Sequence, residues 1–365
     1  MPFKQLDRSR LNIKKLGDRP NKVNIEKDII PLDKKFPHYE GIQKEVFDET
    51  VSRIKGARKN NRPVMLVFGA HSIKNGLSPV MQELMKKGWV THLATNGAGV
   101  IHDWEFSYQG KSSEDVKTNV DMGQFGIWDE TGYFINLSII VGAYEGLGYG
   151  ESVGSMIQNE GLHIPSISFL KENINKWVVS DPAKAASAID LMQRISEFKI
   201  SEGFLAIPHP FKKFSAQAKA FELKIPFTSH PMIGHDIIYN HPMNLGSAIG
   251  RTAERDFLSF AHNVHQLEGG VYLSIGSAVM SPMVFEKSLS MAQNLEIQKK
   301  SHINNHYILV ADLAESKWDW KKGEPPATDP AYYLRYCKTF SRMGGTMNYL
   351  TTDNGRFLTL LYQSL

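Results

Sequence analysis

Short continuous apolar runs alternate along this chain with longer stretches whose apolar residues recur at helical spacing. "PVMLVFGA" (63–70), closed by Gly69, is of the first kind; such a run reads as a strand buried on both faces. "LSPVMQELMKKGW" (77–89) is of the second. Leu77, Val80, Met81, Leu84 and Met85 share one helical face, and Pro79 suits a first turn. "VTHLATNGAG" (90–99) predicts the next strand. The segment 133–157 mixes a helix with five glycines, and "DPAKAASAIDLMQRISE" (181–197) is a helix with an Asp cap. The alternation then resumes. "GFLAI", "PFTSH", "GGVYLSIGS", "HYILVADL" and "TMNYLTT" predict strands. The segments "SAQAKAFELK", "RDFLSFAHNVHQL", "SPMVFEKSLSMAQNL", "DPAYYLRYCKTFSRM" and "GRFLTLLYQS" predict helices.

Seven or eight strand–helix units of this kind imply an α/β fold with a parallel sheet covered on both faces. An eightfold barrel gives the same pattern. A Rossmann-like doubly wound sheet is preferred, because several strands run into Gly-rich turns, and ligands of such sheets sit beyond the carboxyl ends of the strands. Residues 1–45 read as an N-terminal arm and extension, and 46–365 as a single domain.

Lys and Arg total 42 against 38 Asp and Glu, a net charge of +4 that gives no argument for nucleic acid or membrane partners. The single cysteine, Cys337, excludes an intrachain disulfide and fits a reducing, cytoplasmic compartment. No run approaches the ~20 apolar residues of a membrane span. The first 30 residues carry eight Lys/Arg and four acids without an apolar core, and read as a solvated arm rather than a signal peptide.

The turns after the strands are "GAHSIKNG" (69–76), "TNGAG" (95–99), "PMIGHD" (231–236), "SIGSAVMSP" (274–282), "ADLAESKWDW" (311–320) and "TTDNG" (351–355). Gly admits close backbone approach, and free N–H groups at helix starts bind phosphate, so these turns point to a nucleotide site. Neither G-x-G-x-x-G nor G-x-x-x-x-G-K-[ST] is present. His102, Asp103 and Glu105 follow the second turn closely. His230, His235, Asp236 and His241 cluster in sequence, but not at the i,i+4 spacing of a helical zinc site. No metal is expected, although a metal-dependent hydrolase built on those four remains an alternative. Lys338, among aromatics in "YCKTF", is a candidate nucleophile if desolvated.

In this order the pieces resemble the deoxyhypusine synthase family, over about residues 63–120 and from 225 onward. "TNGAGVIHD" is similar to the family's T-x-A-G-G-V-E-E-D, and "PMIGHDIIYNH" to its L-G-D-M-I-F-F-H. "YCK" stands where the family has W-G-K. The resemblance implies a Rossmann-like sheet binding NAD, a homotetramer, and oxidation of a polyamine followed by transfer through a lysine imine. It places Ser72, Thr95, Asn96, Gly97, Gly99, Gly276, Ser277, Asp312 and Asp353 on the cofactor. Lys338 becomes the imine lysine, with Lys321 and Lys322 as rivals, and Asp103, His102 and Asp236 handle substrate and protons.

The departures lie on the polyamine side. A family glutamate is His102 here, the K-H-H stretch reads Met280, Ser281, Pro282, and the tryptophan of W-G-K is Tyr336. The expectation is therefore an NAD-dependent, deoxyhypusine-synthase-like transferase acting on a polyamine or other small amine. The alternatives are a catalytically inactive nucleotide-binding protein of the same fold and the metal-dependent hydrolase.

Overall fold

A computed structural model describes residues 3–365. Its centre is a sheet of six strands: β1 (Val64–Phe68), β2 (His92–Thr95), β3 (Phe227–Ser229), β4 (Val271–Ile275), β5 (Tyr307–Asp312) and β6 (Thr346–Thr351). All neighbours pair in parallel, in the order β3-β2-β1-β4-β5-β6. This is the Rossmann order 3-2-1-4-5-6, doubly wound from β1 outward in both directions.

The strands alternate between two cores. Val64, Leu66 and Phe68 of β1 face one, while Met65 and Val67 face the other. The first core lies beneath helices α1 (Gly41–Lys59), α2 (Ser78–Lys86) and the C-terminal α6 (Asn354–Ser364). Phe260 of α4 (Gly246–His265) and Phe285 of α5 (Met280–Gln298) fill the second. Helix α3 (Gly97–Gln109) follows β2 and opens a long helical insertion, residues 96–226, that returns to the neighbouring strand β3.

Three sequence expectations change. "GFLAI" is extended at Gly203–Ala206, but it pairs antiparallel with Gly161–Ile164 in a separate ribbon, so fewer units enter the sheet than expected. The helix over 329–343 breaks at Leu334 into a turn, Pro330–Tyr333, and a short helix, Arg335–Ser341. The arm is not solvated throughout. Leu16 and Ile25 are fully buried, Lys14 bridges to Trp128, and Val23–Asn24 pairs with Lys111–Ser112. Its apolar residues are too sparse for a periodic signal, yet Leu16, Ile25 and Ile30 are buried, while Phe3 and Leu6 stay exposed.

The winding reverses between β1 and β4. Gly69 ends β1 and donates its N–H to Ile275 at 3.0 Å. A Cβ at Gly69 would stand 2.1 Å from the carbonyl oxygen of Gly276, which itself sits at φ +56°. Backbone cannot yield there as a flexible side chain would. Gly69→Ala should therefore lower stability by about 1–3 kcal/mol, the usual range for overpacking, as read by urea denaturation; an unchanged midpoint would show that the two turns are not held in contact.

Candidate functional site

Beyond the carboxyl ends of β1–β3 lies a cavity of about 290 Å³. The arm gives it Arg19 and Lys22, and the short helix after β1 gives Lys74. Helix α3 contributes Ala98, Ile101, His102 and Glu105, the loop after β3 His235 and Asp236, and the insertion Glu114. Among these, the sequence points to His102 and Asp236 as substrate groups and to His235 and Asp236 as metal ligands in the hydrolase alternative, with Glu105 noted beside them.

Arg19 and Glu105 are both buried and joined by two contacts, Nη1–Oε1 at 2.8 Å and Nη2–Oε2 at 2.6 Å. Burial pushes the Glu105 carboxyl up, but the guanidinium charge and its hydrogen bonds outweigh that, and the net shift is downward. Thr131 donates to Glu105 at 3.0 Å, and the Ser112 hydroxyl donates to it as well. That hydroxyl has one proton, so it accepts from His102 Nδ1 at 2.7 Å. His102 is therefore held as the Nδ1–H tautomer, and its Nε2 keeps a lone pair. Burial lowers its pKa to about 4, so the ring is neutral at neutral pH.

Asp236 sits against the first turn of α3. A Cβ at Gly97 would fall 2.1 Å from its Oδ2, so only glycine leaves room for the carboxylate. Burial raises its pKa to about 7, opposed by a hydrogen bond from the Ala98 N–H. Its Oδ2 has no protein hydrogen-bond partner, and neither do the buried hydroxyls of Tyr149 and Tyr239. Both tyrosines are pushed upward, first by burial and then by the Asp236 charge.

The other carboxylates are engaged. Glu114 accepts from Asn119 Nδ2 (2.6 Å), Trp128 Nε1 (3.0 Å) and the Gly126 N–H (3.1 Å). Asp103 faces away from the cavity. It accepts from the Ala216 N–H (2.9 Å), Gln217 Nε2 (3.0 Å) and the Ser215 hydroxyl (2.5 Å), and so anchors the start of helix Ala216–Leu223. The structure thus places Asp103 in a helix-anchoring network instead of beside a substrate.

Lys338 lies on the short helix Arg335–Ser341, beside the far edge strand β6 and outside the cavity. Its Nζ stands 3.3 Å from the centre of the Tyr332 ring and 3.0 Å from Glu324. Contact with Tyr332, then with Glu324, raises its pKa, the reverse of what a nucleophilic lysine needs. Of its rivals, Lys321 pairs with Glu49 at 2.9 Å and Lys322 stands 3.8 Å from Asp319.

The cofactor candidates do come to the carboxyl edge, but many of their side chains serve the protein. Asn96 caps α3 through the Gly99 N–H (3.0 Å), and Asp353 caps α6 through the Arg356 N–H (2.9 Å). Thr95 donates to the Phe68 carbonyl at 2.9 Å, and its side chain packs against Gly99. Ser72 bonds Asn354 Nδ2 (2.9 Å), Ser277 accepts the Ser281 N–H (3.2 Å), and Asp312 accepts the Ala314 N–H (3.2 Å).

The metal alternative is not supported. His230 is buried edge-on to Phe260, its pKa lowered to about 3 by burial, while His241 bonds Asp129 at 3.3 Å. His235 and Asp236 lie at the cavity instead, and no group of three metal-binding side chains forms among the described residues.

No known protein family and no curated protein matches the chain. Solved structures overlap it loosely. A conserved protein of Methanococcus maripaludis S2 assigned to LOR/SDH is 12% identical with a TM-score of 0.44, covering 92% of this chain and 70% of its own. AgrE, in a ternary complex with ornithine and NAD+, is 15% identical with a TM-score of 0.43; the match covers 91% of this chain and 34% of AgrE. A protein of Entamoeba histolytica assigned as a deoxyhypusine synthase is 10% identical with a TM-score of 0.39, covering 89% and 88%. At these TM-scores the overlaps carry no argument, and the fold rests on the strand order.

Two outcomes test this geometry. Arg19→Ala strands Glu105 inside the protein and should cost about 3–5 kcal/mol in chemical denaturation. Adding Glu105→Gln should recover part of that loss; two variants whose costs simply add would mean the pair is not coupled. Asp236 holds its proton more tightly folded than unfolded, so its contribution to stability falls as pH rises from about 3.8 to about 7. Asp236→Asn should thus exceed the parent at pH 8 by an amount on the order of a few kcal/mol. The gain should shrink at pH 5, and a gain independent of pH would contradict the raised carboxyl.

Proposed function

We propose that the protein is an NAD-dependent enzyme that oxidises a small amine. The observation that carries the reading is the juxtaposition of two features. One is a 3-2-1-4-5-6 sheet whose switch point is formed by the Gly69 and Gly276 turns; the other is the cavity beyond the same strand ends, with Asp236, whose Oδ2 has no protein partner, at its wall.

The residues fit a dinucleotide's phosphates better than its ribose. The helix that starts after Gly69 has no side-chain cap, and at the start of α5 only Ser277 accepts a first-turn N–H. The remaining N–H groups there suit a phosphate. At the end of β2, where a dinucleotide fold commonly presents an acid to the ribose, stand Thr95 and Asn96, both engaged within the protein. Bound at the crevice, a nicotinamide would supply the acceptor for a hydride.

The chain's own residues would manage the amine. Asp236 titrates near neutral pH, so it can take the ammonium proton and leave the free amine that C–H oxidation requires. The His102 Nε2 lone pair offers a hydrogen-bond acceptor on a residue of the same cavity. The proposal stops at oxidation. Transfer through a lysine imine is not included, because Lys338 is ion-paired outside the cavity.

Titration calorimetry with NAD+ should show saturable binding to the purified chain, and Gly276→Val should weaken it at least tenfold. NADH should then appear at 340 nm when one of a panel of primary amines is added, and the rate should collapse in Asp236→Asn. Absence of nucleotide binding would remove the reading altogether.

A further inference from the structure

The charges around the cavity can be matched one against another. Arg19 is taken by Glu105, and Lys22 by Asp115 at 2.6 Å. Glu114 is held by three N–H donors. Two charged side chains lining the space remain without a partner of opposite sign among the described residues: Lys74, a cation, and Asp236, an acid. They do not pair with each other, and Lys74 is not among the groups that shift Asp236. Lys74 does act on His102, whose pKa its charge helps to lower after burial has done most of the work. The cation comes from the short helix after β1, and the acid from the loop after β3, where it sits against Gly97.

We infer that the cavity takes an amino acid as its zwitterion, with the ammonium toward Asp236 and the carboxylate toward Lys74. This rests on the reading of the cavity as the amine site of the proposed enzyme. A primary ammonium has three N–H donors. The Asp236 end offers the Asp236 carboxylate, which lines the cavity and whose Oδ2 has no protein partner; the Tyr149 and Tyr239 hydroxyls, also without partners, feel its charge but do not line the cavity. Buried polar atoms are normally satisfied, so the partnerless Asp236 oxygen marks a place where a ligand's donor belongs.

A diamine fits less well. Its second ammonium would need a second unengaged acid, since burying a charge unpaired is costly. The cavity offers Lys74 in that place, a like charge. A carboxylate there gains an ion pair instead. The volume of about 290 Å³ equals roughly ten waters at ~30 Å³ each, which accommodates an amino acid.

The test uses the full chain without nucleotide and pairs of ligands that differ by one carboxylate: lysine and cadaverine, ornithine and putrescine, arginine and agmatine. Calorimetry should find, in at least one pair, that the amino acid binds at least tenfold tighter than its amine. Lys74→Met should erase that gap, Lys74→Arg should keep most of it, and Asp236→Asn should abolish binding of both partners. Circular dichroism confirms that each variant is folded. The inference is overturned if the amine binds as well in every pair, if no ligand binds, or if Lys74→Met leaves the gap intact. NAD+ binding is measured separately on the same samples. Amino-acid preference without nucleotide binding would sink the proposed enzyme and leave this site standing, whereas nucleotide binding without the preference would do the reverse.

Discussion

The Arg19–Glu105 pair decides where the N-terminal arm goes. A carboxylate buried on α3 with no counter-charge would cost several kcal/mol, so the arm must lay its guanidinium across the helix. Once it does, Glu105 is fixed, Ser112 turns its hydroxyl toward it, and His102 is left with one tautomer. Arg19 and Lys22 then become cavity wall. The same helix holds Asp236 at its first turn. One ion pair thus orders the arm, the imidazole and much of the pocket's outline.

Legibility in the sequence followed burial pattern. The strands Val64–Phe68, Val271–Ile275 and Tyr307–Asp312 read clearly, because a parallel strand covered on both faces is apolar throughout. The site was harder, since its signals are pairings between distant residues. Nothing near Arg19 announces Glu105, 86 positions away. Asp103 looked like a substrate group because it follows a glycine-rich turn, yet on a helix it is turned about 100° from His102 and meets Ser215 instead. Lys338 had aromatic neighbours in sequence, but Glu324 lies in a loop whose course no periodicity reveals. Asp236 and Gly97 were both noted; that one exists to make room for the other needed coordinates.

The two halves of the proposed site use different physics. At the crevice, side chains are largely engaged as caps and braces, so a nucleotide would meet backbone, glycine and helix ends. In the cavity, recognition falls to a few charges, most already cancelled within the protein. The two that are not cancelled would set the preference of the proposed site, because they alone gain a partner from a ligand.

The insertion of residues 96–226 leaves the sheet at Thr95 and rejoins it at Phe227, on the adjacent strand. Its two ends are hydrogen-bond neighbours, with the Leu93 N–H on the Pro226 carbonyl and the His230 N–H on the Thr95 carbonyl, each at 2.9 Å. Closing a loop between fixed neighbouring points grows only slowly more costly with its length. The sheet therefore fixes the ends of this segment, while its content is held by packing, with Trp104, Ile135 and Val153 in one core with Val64, Leu66 and Phe68. Because His102, Glu105 and Glu114 all lie inside it, changes to this segment would redraw the cavity more than the crevice proposed for a nucleotide, which is built largely from the other strand ends.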